Sequence, residues 1–169
     1  MPGYNKGIFA PVNPYKPFAM TMMEEMEALA AKDNFDVCLI DDDHIYQFTA
    51  RKMLESTGLA RQIYSFYDGE AAIRYLKNEE NISQNKVPDV IFLDINMPIM
   101  DGWQFLEEYR TLAGKMPRQV TVYMVSSSVD IFDIQRAQQM AEVTDYLVKP
   151  MPREKYRQLI DGLKRLSAN

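Results

Sequence analysis

The stretch Pro88–Gly102, PDVIFLDINMPIMDG, decides how the rest of the chain is read. Val90 to Leu93 is a continuous apolar run without polar alternation, which predicts a strand buried on both faces, as in a parallel sheet. The run ends in a carboxylate, Asp94, and four residues later Pro98 closes the extended segment. Asp101-Gly102 then reads as a turn ahead of the next helical pattern. An acid is thereby placed at the C-terminal lip of a central strand, above a stiff loop.

Outward from this stretch, from Asp36 on, short apolar runs alternate with helix-period segments. The predicted strands are roughly 36–41 (DVCLID), 61–66 (RQIYSF), 89–94 (DVIFLD), 120–126 (VTVYMVS) and 145–148 (DYLV), and the helices about 43–57, 69–80, 102–113, 130–141 and 152–167. Five such units predict an α/β fold around a parallel sheet. Phe105, Leu106, Tyr109, Leu112 and Ala113 share one helix face, and Tyr156, Leu159, Ile160, Leu163 and Leu166 share another, so both stripes read as core. The polar run 78–86, NEENISQNK, reads as a solvated loop without a role. Residues 34–169 form the expected domain. Residues 1–33 are expected to be an extension: Pro2, Pro11, Pro14 and Pro17 forbid a helix over 1–19, and Thr21 with Glu24 makes a capping-box pattern before a short amphipathic helix over 22–32.

With 169 residues the chain suits one well-cored domain plus that extension, not two ordinary domains. An apolar content of 47% with 25% charged residues is that of a soluble globular protein. The formal charge of -5 leaves no electrostatic footprint for nucleic acid, so protein or small-ion partners are expected. The single cysteine, Cys38, sits in an apolar strand pattern, which excludes an intrachain disulfide and suits a structural thiol in a reducing cytoplasm. No run reaches the length of a membrane span and the N-terminus lacks an uninterrupted apolar segment, so neither insertion nor export is signalled, and a cytoplasmic location is expected.

Four of the five predicted strands hand over to polar residues at one edge: Asp41-Asp42-Asp43, Asp94, Ser126 and Lys149. In open parallel sheets that edge is where ligands bind. Two carboxylates about 4 Å apart repel by about 4 kcal/mol at an effective dielectric near 20, so the cluster needs positive charge. Lys149 supplies one, and an oxygen-rich acidic site suits Mg²⁺ for the remainder. An acid beside a metal, a lysine and a hydroxyl is equipped for phosphoryl transfer with the carboxylate as nucleophile, giving an aspartyl phosphate.

Acids after one strand, then LDINMPIMDG, then a serine after a later strand, then Lys-Pro: this ordered set resembles the receiver domain of two-component response regulators, from about Asn34 to the C-terminus. The resemblance, closest in plan to the stand-alone chemotaxis response regulator, implies a doubly wound (βα)5 flavodoxin-like domain whose five-stranded parallel sheet has the order 2-1-3-4-5. It implies Asp94 as phosphoacceptor; Asp42, Asp94 and the backbone carbonyl of Asn96 as direct Mg²⁺ ligands; and Asp41 as a ligand acting mainly through water. Ser126 matches the hydroxyl that moves toward the phosphoryl group, Tyr146 the aromatic that reports that movement, and Lys149 with Pro150 the Lys-Pro pair whose proline is cis in much of the family. Ala141-Glu142-Val143-Thr144 departs from the Gly-Ala pair often found before the last strand.

The implied function is that of a single-domain response regulator in a phosphorelay, not an enzyme beyond self-phosphotransfer and autodephosphorylation. The donor is a sensor histidine kinase or histidine phosphotransfer protein acting in trans, because no P-loop is present. About one helix follows Pro150, so output is expected through protein contacts with a target or a second copy, on the surface of the last two helices and the last strand. Neither nucleic acid nor membrane is an expected partner.

Taken singly, each residue has a plainer reading. Asp41 and Asp42 serve equally as a solvated strand end or a helix cap, and Asp43 reads as such a cap. Ser126 alone is a turn residue, Lys149 a surface lysine, His44 a surface histidine, and Tyr146 a core aromatic. Trp103 is expected near the acids or partly exposed. Two rivals remain at this stage: a haloacid-dehalogenase-like phosphatase using Asp41-x-Asp43, and a phosphate-independent adaptor with the same fold.

Overall fold

The computed structural model describes residues 34–166, and the extension expected over 1–33, with its short helix, lies outside them. Strands β1 (Phe35–Ile40), β2 (Ala60–Phe66), β3 (Val90–Asp94), β4 (Thr121–Ser126) and β5 (Val143–Val148) form one parallel sheet in the order β2-β1-β3-β4-β5. The helices are α1 (His44–Thr57), α2 (Gly69–Lys77), α3 (Glu79–Ser83), α4 (Gly102–Ala113), α5 (Ile131–Gln139) and α6 (Arg153–Leu166). The doubly wound α/β architecture and strand order are those expected.

The unbroken apolar runs have a physical cause: every residue of β1 and β3 is buried, because both faces of the sheet are covered. On one face Val37, Leu39, Val90, Phe92 and Val125 pack with Ala50 and Leu54 of α1 and with Tyr156, Ile160 and Leu163 of α6. On the other, Cys38, Ile40, Ile91, Leu93 and Met124 pack with Ala72, Ile73 and Leu76 of α2, Phe105, Leu106 and Tyr109 of α4, and Ala137 of α5. Cys38 is a buried free thiol, its pKa pushed up by burial. The edge of the sheet opposite the acids is held by ions: Asp36, 2% exposed, takes Arg61 in a two-pronged contact, and Arg118 joins it to Asp89.

Most element ends fall within one or two residues of the sequence reading, and three differences have a clear local cause. Strand β5 starts at Val143 rather than 145, because Val143 pairs with Val122 before the register shifts between Val122 and Tyr123. Helix α2 ends at Lys77, and the polar run beyond it is not all loop: the Asn78 side chain accepts the Glu80 and Asn81 N–H groups and starts α3. Asp101-Gly102 is not the turn. Asp101 caps α4 in a reciprocal box with Gln104, and the turn lies at Pro98–Met100, where the Met100 N–H donates to the Pro98 carbonyl at 2.7 Å across Ile99 at φ +69°. None of the helices among the described residues is long and apolar enough to cross a membrane.

Candidate functional site

Between β1 and β3 the chain winds in opposite directions, and the crevice at such a switch point opens at the C-terminal ends of the strands. Asp41 is the first residue after β1, and Asp94 the last of β3. The carboxylate oxygens of Asp41, Asp42 and Asp94 lie within 4.8 Å of one another, with Asp41 and Asp94 buried and Asp42 exposed. Asp43 stands apart from the group. Its carboxylate accepts the N–H groups of Ile45 (2.8 Å) and Tyr46 (3.0 Å) as the N-cap of α1, and its own N–H holds Asp41 Oδ1 at 3.0 Å.

Lys149 crosses from the end of β5 to join the two buried acids, its Nζ 2.5 Å from Asp41 Oδ2 and 3.1 Å from Asp94 Oδ1. The Lys149 N–H donates to the Ser126 carbonyl at 2.9 Å, and the Lys149–Pro150 peptide is cis. Ser126 is fully buried at the end of β4, where its Oγ accepts the Ser128 N–H at 3.1 Å. Tyr146 is half-buried, and its hydroxyl donates to the Ser128 carbonyl at 2.9 Å. Asn96 is exposed in the β3–α4 loop, two residues past Asp94. His44 is exposed and rests against the Tyr67 ring, outside the acidic group. Trp103, in the first turn of α4, is buried under the Arg136 guanidinium at 4.2 Å, not partly exposed.

Burial pushes the Asp94 carboxyl up to about 6; the Lys149 charge works against this shift and the Asp41 charge adds to it. Asp41 is likewise raised by burial, with Lys149 and the Asp43 N–H pulling the other way. Three carboxylates against one ammonium leave two negative charges in a crevice where Asp41 and Asp94 are buried and Asp42 is open to water. The donors are oxygen only, closely spaced and under-neutralised by two charges, which fits a hard divalent cation and not a soft or nitrogen-seeking metal.

Two residues of this region escape a sequence reading. Gln47 is 4% exposed and its Nε2 donates to the carbonyls of Asp41 (2.9 Å) and Phe66 (2.6 Å), tying the ends of β1 and β2 together. Its available signal is spacing: Gln47, Ala50 and Leu54 fall at i, i+3 and i+7 on the buried face of α1. Tyr46 carries Lys149 Nζ over its ring, 4.4 Å from the centroid, and hydrogen-bonds the Tyr156 hydroxyl at 2.9 Å. An aromatic three residues after a helix cap gives no comparable hint.

A doubly wound sheet with acids at its switch point and a lysine bridging them defines a receiver-type signalling domain, and the comparisons agree. Residues 37–161 match the response regulator receiver domain, and the chain belongs to that family. It is 25% identical, over 84% of its length and 89% of the other, to a probable methanogenesis regulatory protein of Methanothrix harundinacea. It is 29% identical to a probable C4-dicarboxylate response regulator of Bacillus subtilis, spanning 80% of this chain and about half (54%) of that one. A crystal structure of a two-component response regulator from Cytophaga hutchinsonii superimposes with a TM-score of 0.70 at 30% identity, covering 78% of this chain and 98% of the other. The phosphatase alternative gives way to this membership, and Asp43, the second acid of its motif, is committed to capping α1.

Proposed function

We propose that this protein is a response regulator whose receiver domain, residues 34–169 after an N-terminal extension, accepts a phosphoryl group on Asp94 from a phosphohistidine of a sensor histidine kinase or histidine phosphotransfer protein. The observation that carries the reading is the bridge from Lys149 Nζ to both Asp41 and Asp94 over an otherwise under-neutralised acidic crevice.

Asp41, Asp42, Asp94 and the Asn96 carbonyl would hold Mg²⁺, with Asp41 acting mainly through water. Bound there, the ion offsets charge on the acids and draws electron density from phosphoryl oxygens. An Asp94 carboxylate oxygen attacks phosphorus; the bond from phosphorus to the donor imidazole nitrogen breaks, and the ring keeps that electron pair and takes a proton from water. Lys149 is already within reach of the oxygens that receive charge, and its bridge keeps Asp94 ionised for attack. Ser126, at the end of the neighbouring strand, donates its hydroxyl hydrogen to a phosphoryl oxygen once the 127–130 loop shifts. Tyr146 follows, because its hydroxyl is bonded to that same loop.

The readout is a protein contact. Val129, Ile131, Phe132 and Val148 are exposed apolar side chains at the start of α5 and the end of β5, the face expected to take a target or a second copy. The protein acts in the cytoplasm, where ATP charges the kinase, and the reaction ends at phosphotransfer and autodephosphorylation.

Trp103 fluorescence tests this, because the residue before it, Gly102, packs against the Asp94 backbone. Titration with Mg²⁺ should give a saturable change and beryllofluoride a further one that Asp94→Asn loses. No change, with no Mg²⁺ uptake by calorimetry, would return the reading to a phosphate-independent adaptor.

A further inference from the structure

Lys149 reaches the acids across an aromatic ring. Its Nζ lies 4.4 Å from the Tyr46 ring centroid while contacting Asp41 and Asp94 at 2.5 and 3.1 Å. A lysine is a point charge on a flexible stem, and two carboxylates alone fix it only along the line between them. When a group joins Asp94, the carboxylate loses its charge and its hold on the lysine weakens, and Asp41 alone would draw the ammonium away from the reacting oxygens. The ring face is a third support that does not depend on the state of Asp94.

The ring itself is clamped. At its root, the Tyr46 N–H is held by the Asp43 cap at 3.0 Å; at its tip, the hydroxyl meets that of Tyr156 at 2.9 Å. Tyr156 is 1% exposed and stands edge-on to Phe92 of β3, with ring centroids 5.2 Å apart. Tyr46 is thus pinned between α1 and α6 on one face of the sheet, with its own face turned to the ammonium.

We propose that Tyr46 is a positioning residue for Lys149, holding the ammonium by a cation–π contact at the height where it serves both Asp94 and the oxygens of an arriving phosphoryl group; this rests on Asp94 being the phosphoacceptor. Tyr156 acts one step further back, fixing the ring. The alternative is that Tyr46 only packs α1 against α6.

The test uses the full chain as wild type, Tyr46→Leu and Tyr46→Phe. The first readout is the proton shift of the Lys149 ε-methylene in ¹H–¹³C spectra recorded in chelator and assigned by its loss in Lys149→Met. Ring current should displace it upfield in wild type and Tyr46→Phe, and Tyr46→Leu should return it to the value of an exposed lysine. The second is the rate at which acetyl phosphate with Mg²⁺ labels Asp94: Tyr46→Leu should be roughly fivefold to tenfold slower, the size of a cation–π contact between the exposed and the desolvated cases, and Tyr46→Phe should recover most of the loss. Tyr46→Leu with lowered thermal stability but an unmoved methylene signal, or labelled at the wild-type rate, would overturn the proposal. Wild type left unlabelled, like Asp94→Asn, would overturn the phosphoacceptor reading instead, while the methylene signal still decides where the ring holds the lysine.

Discussion

A Cβ added to Gly102 would stand 2.3 Å from the carbonyl oxygen of Asp94 and 3.0 Å from Cα of Ile95. The Gly102 N–H also donates to the Ile95 carbonyl at 2.8 Å, so the first turn of α4 is sewn directly onto the backbone leaving β3. Because the obstructing atoms are backbone, no rotamer change makes room. Gly102→Ala should cost about 2–3 kcal/mol in urea unfolding, at the upper end for overpacking. It should weaken Mg²⁺ binding as well, since the part that must move carries Asp94. A variant as stable as wild type would mean that α4 is free to drift from the strand.

Asp94 makes a pH-dependent contribution whose sign is fixed by burial. Its carboxyl is raised from 3.8 to about 6 in the folded protein. Below about pH 4 the group is protonated folded or unfolded, and the penalty is absent; as pH rises through 6 the folded state must carry a buried charge, and stability is lost. Asp94→Asn removes that charge while Lys149 keeps Asp41. In chelator at about pH 8 the variant should be more stable by about 1 kcal/mol, less than the full shift implies because solvent still screens the site. The gap should close toward about pH 4, and adding Mg²⁺ should shrink it above about pH 7, where Asp94 is ionised. Denaturant melts across that range check the sign directly.

The residues that sequence alone places well are those where a polar side chain ends an apolar run. Asp41, Asp94, Ser126 and Lys149 each follow such a run, and a parallel sheet leaves only one edge for strand ends to meet. Residues acting against their local propensity stay hidden. Gln47 falls by spacing on the buried face of α1, but a glutamine there gives no sign of the two carbonyls it meets until the structure is seen. Asn78 lies within a run of helix formers, yet it stops one helix and starts another through its side chain. Thr144-Asp145 breaks the apolar pattern, so Val143 drops out of β5 although it is paired. Ile99 is a β-branched residue in a backbone conformation that such residues avoid, and only tertiary structure imposes it.

Gln47 bridges two carbonyls at the root of the acidic crevice, and one of them belongs to Asp41. Gln47→Leu fills the same volume but leaves the Asp41 carbonyl without that donor in a buried setting. The expected loss is about 1–2 kcal/mol, in the lower part of the range for an unsatisfied buried acceptor. Its Oε1 already lacks a partner, so removing it should hold the loss toward the lower figure. Chemical denaturation measures the loss; an Mg²⁺ affinity reduced in parallel would show that the carbonyl sets the position of the acid.

Ile99 carries strain without packing in return. It sits at φ +69° and is 75% exposed at the tip of the loop over the acids. Ile99→Asn keeps a side chain but suits the left-handed conformation, so it should raise stability by about 0.5–1 kcal/mol. A thermal melt in chelator is sufficient to see it. If the variant is also labelled more slowly by a phosphohistidine donor protein but not by acetyl phosphate, the exposed isoleucine is a contact for the donor.

Tyr146 and Ser126 are joined through one residue. The Tyr146 hydroxyl donates to the Ser128 carbonyl at 2.9 Å, and the Ser128 N–H donates to Ser126 Oγ at 3.1 Å. The ring therefore reports on, and helps hold, the loop that aims the Ser126 hydroxyl. Tyr146→Phe removes only the outer bond, worth about 1 kcal/mol, so unfolding should change little. The coupling should show in binding: beryllofluoride affinity in Mg²⁺ should fall roughly threefold to fivefold, because the loop must now be ordered without its tie to β5. Metal affinity alone, which does not involve Ser126, should stay at the wild-type value. If both affinities fall together, Tyr146 supports the whole crevice; if neither falls, the 127–130 loop is ordered by its own bonds, and the link from Asp94 to the α5–β5 face does not run through this ring.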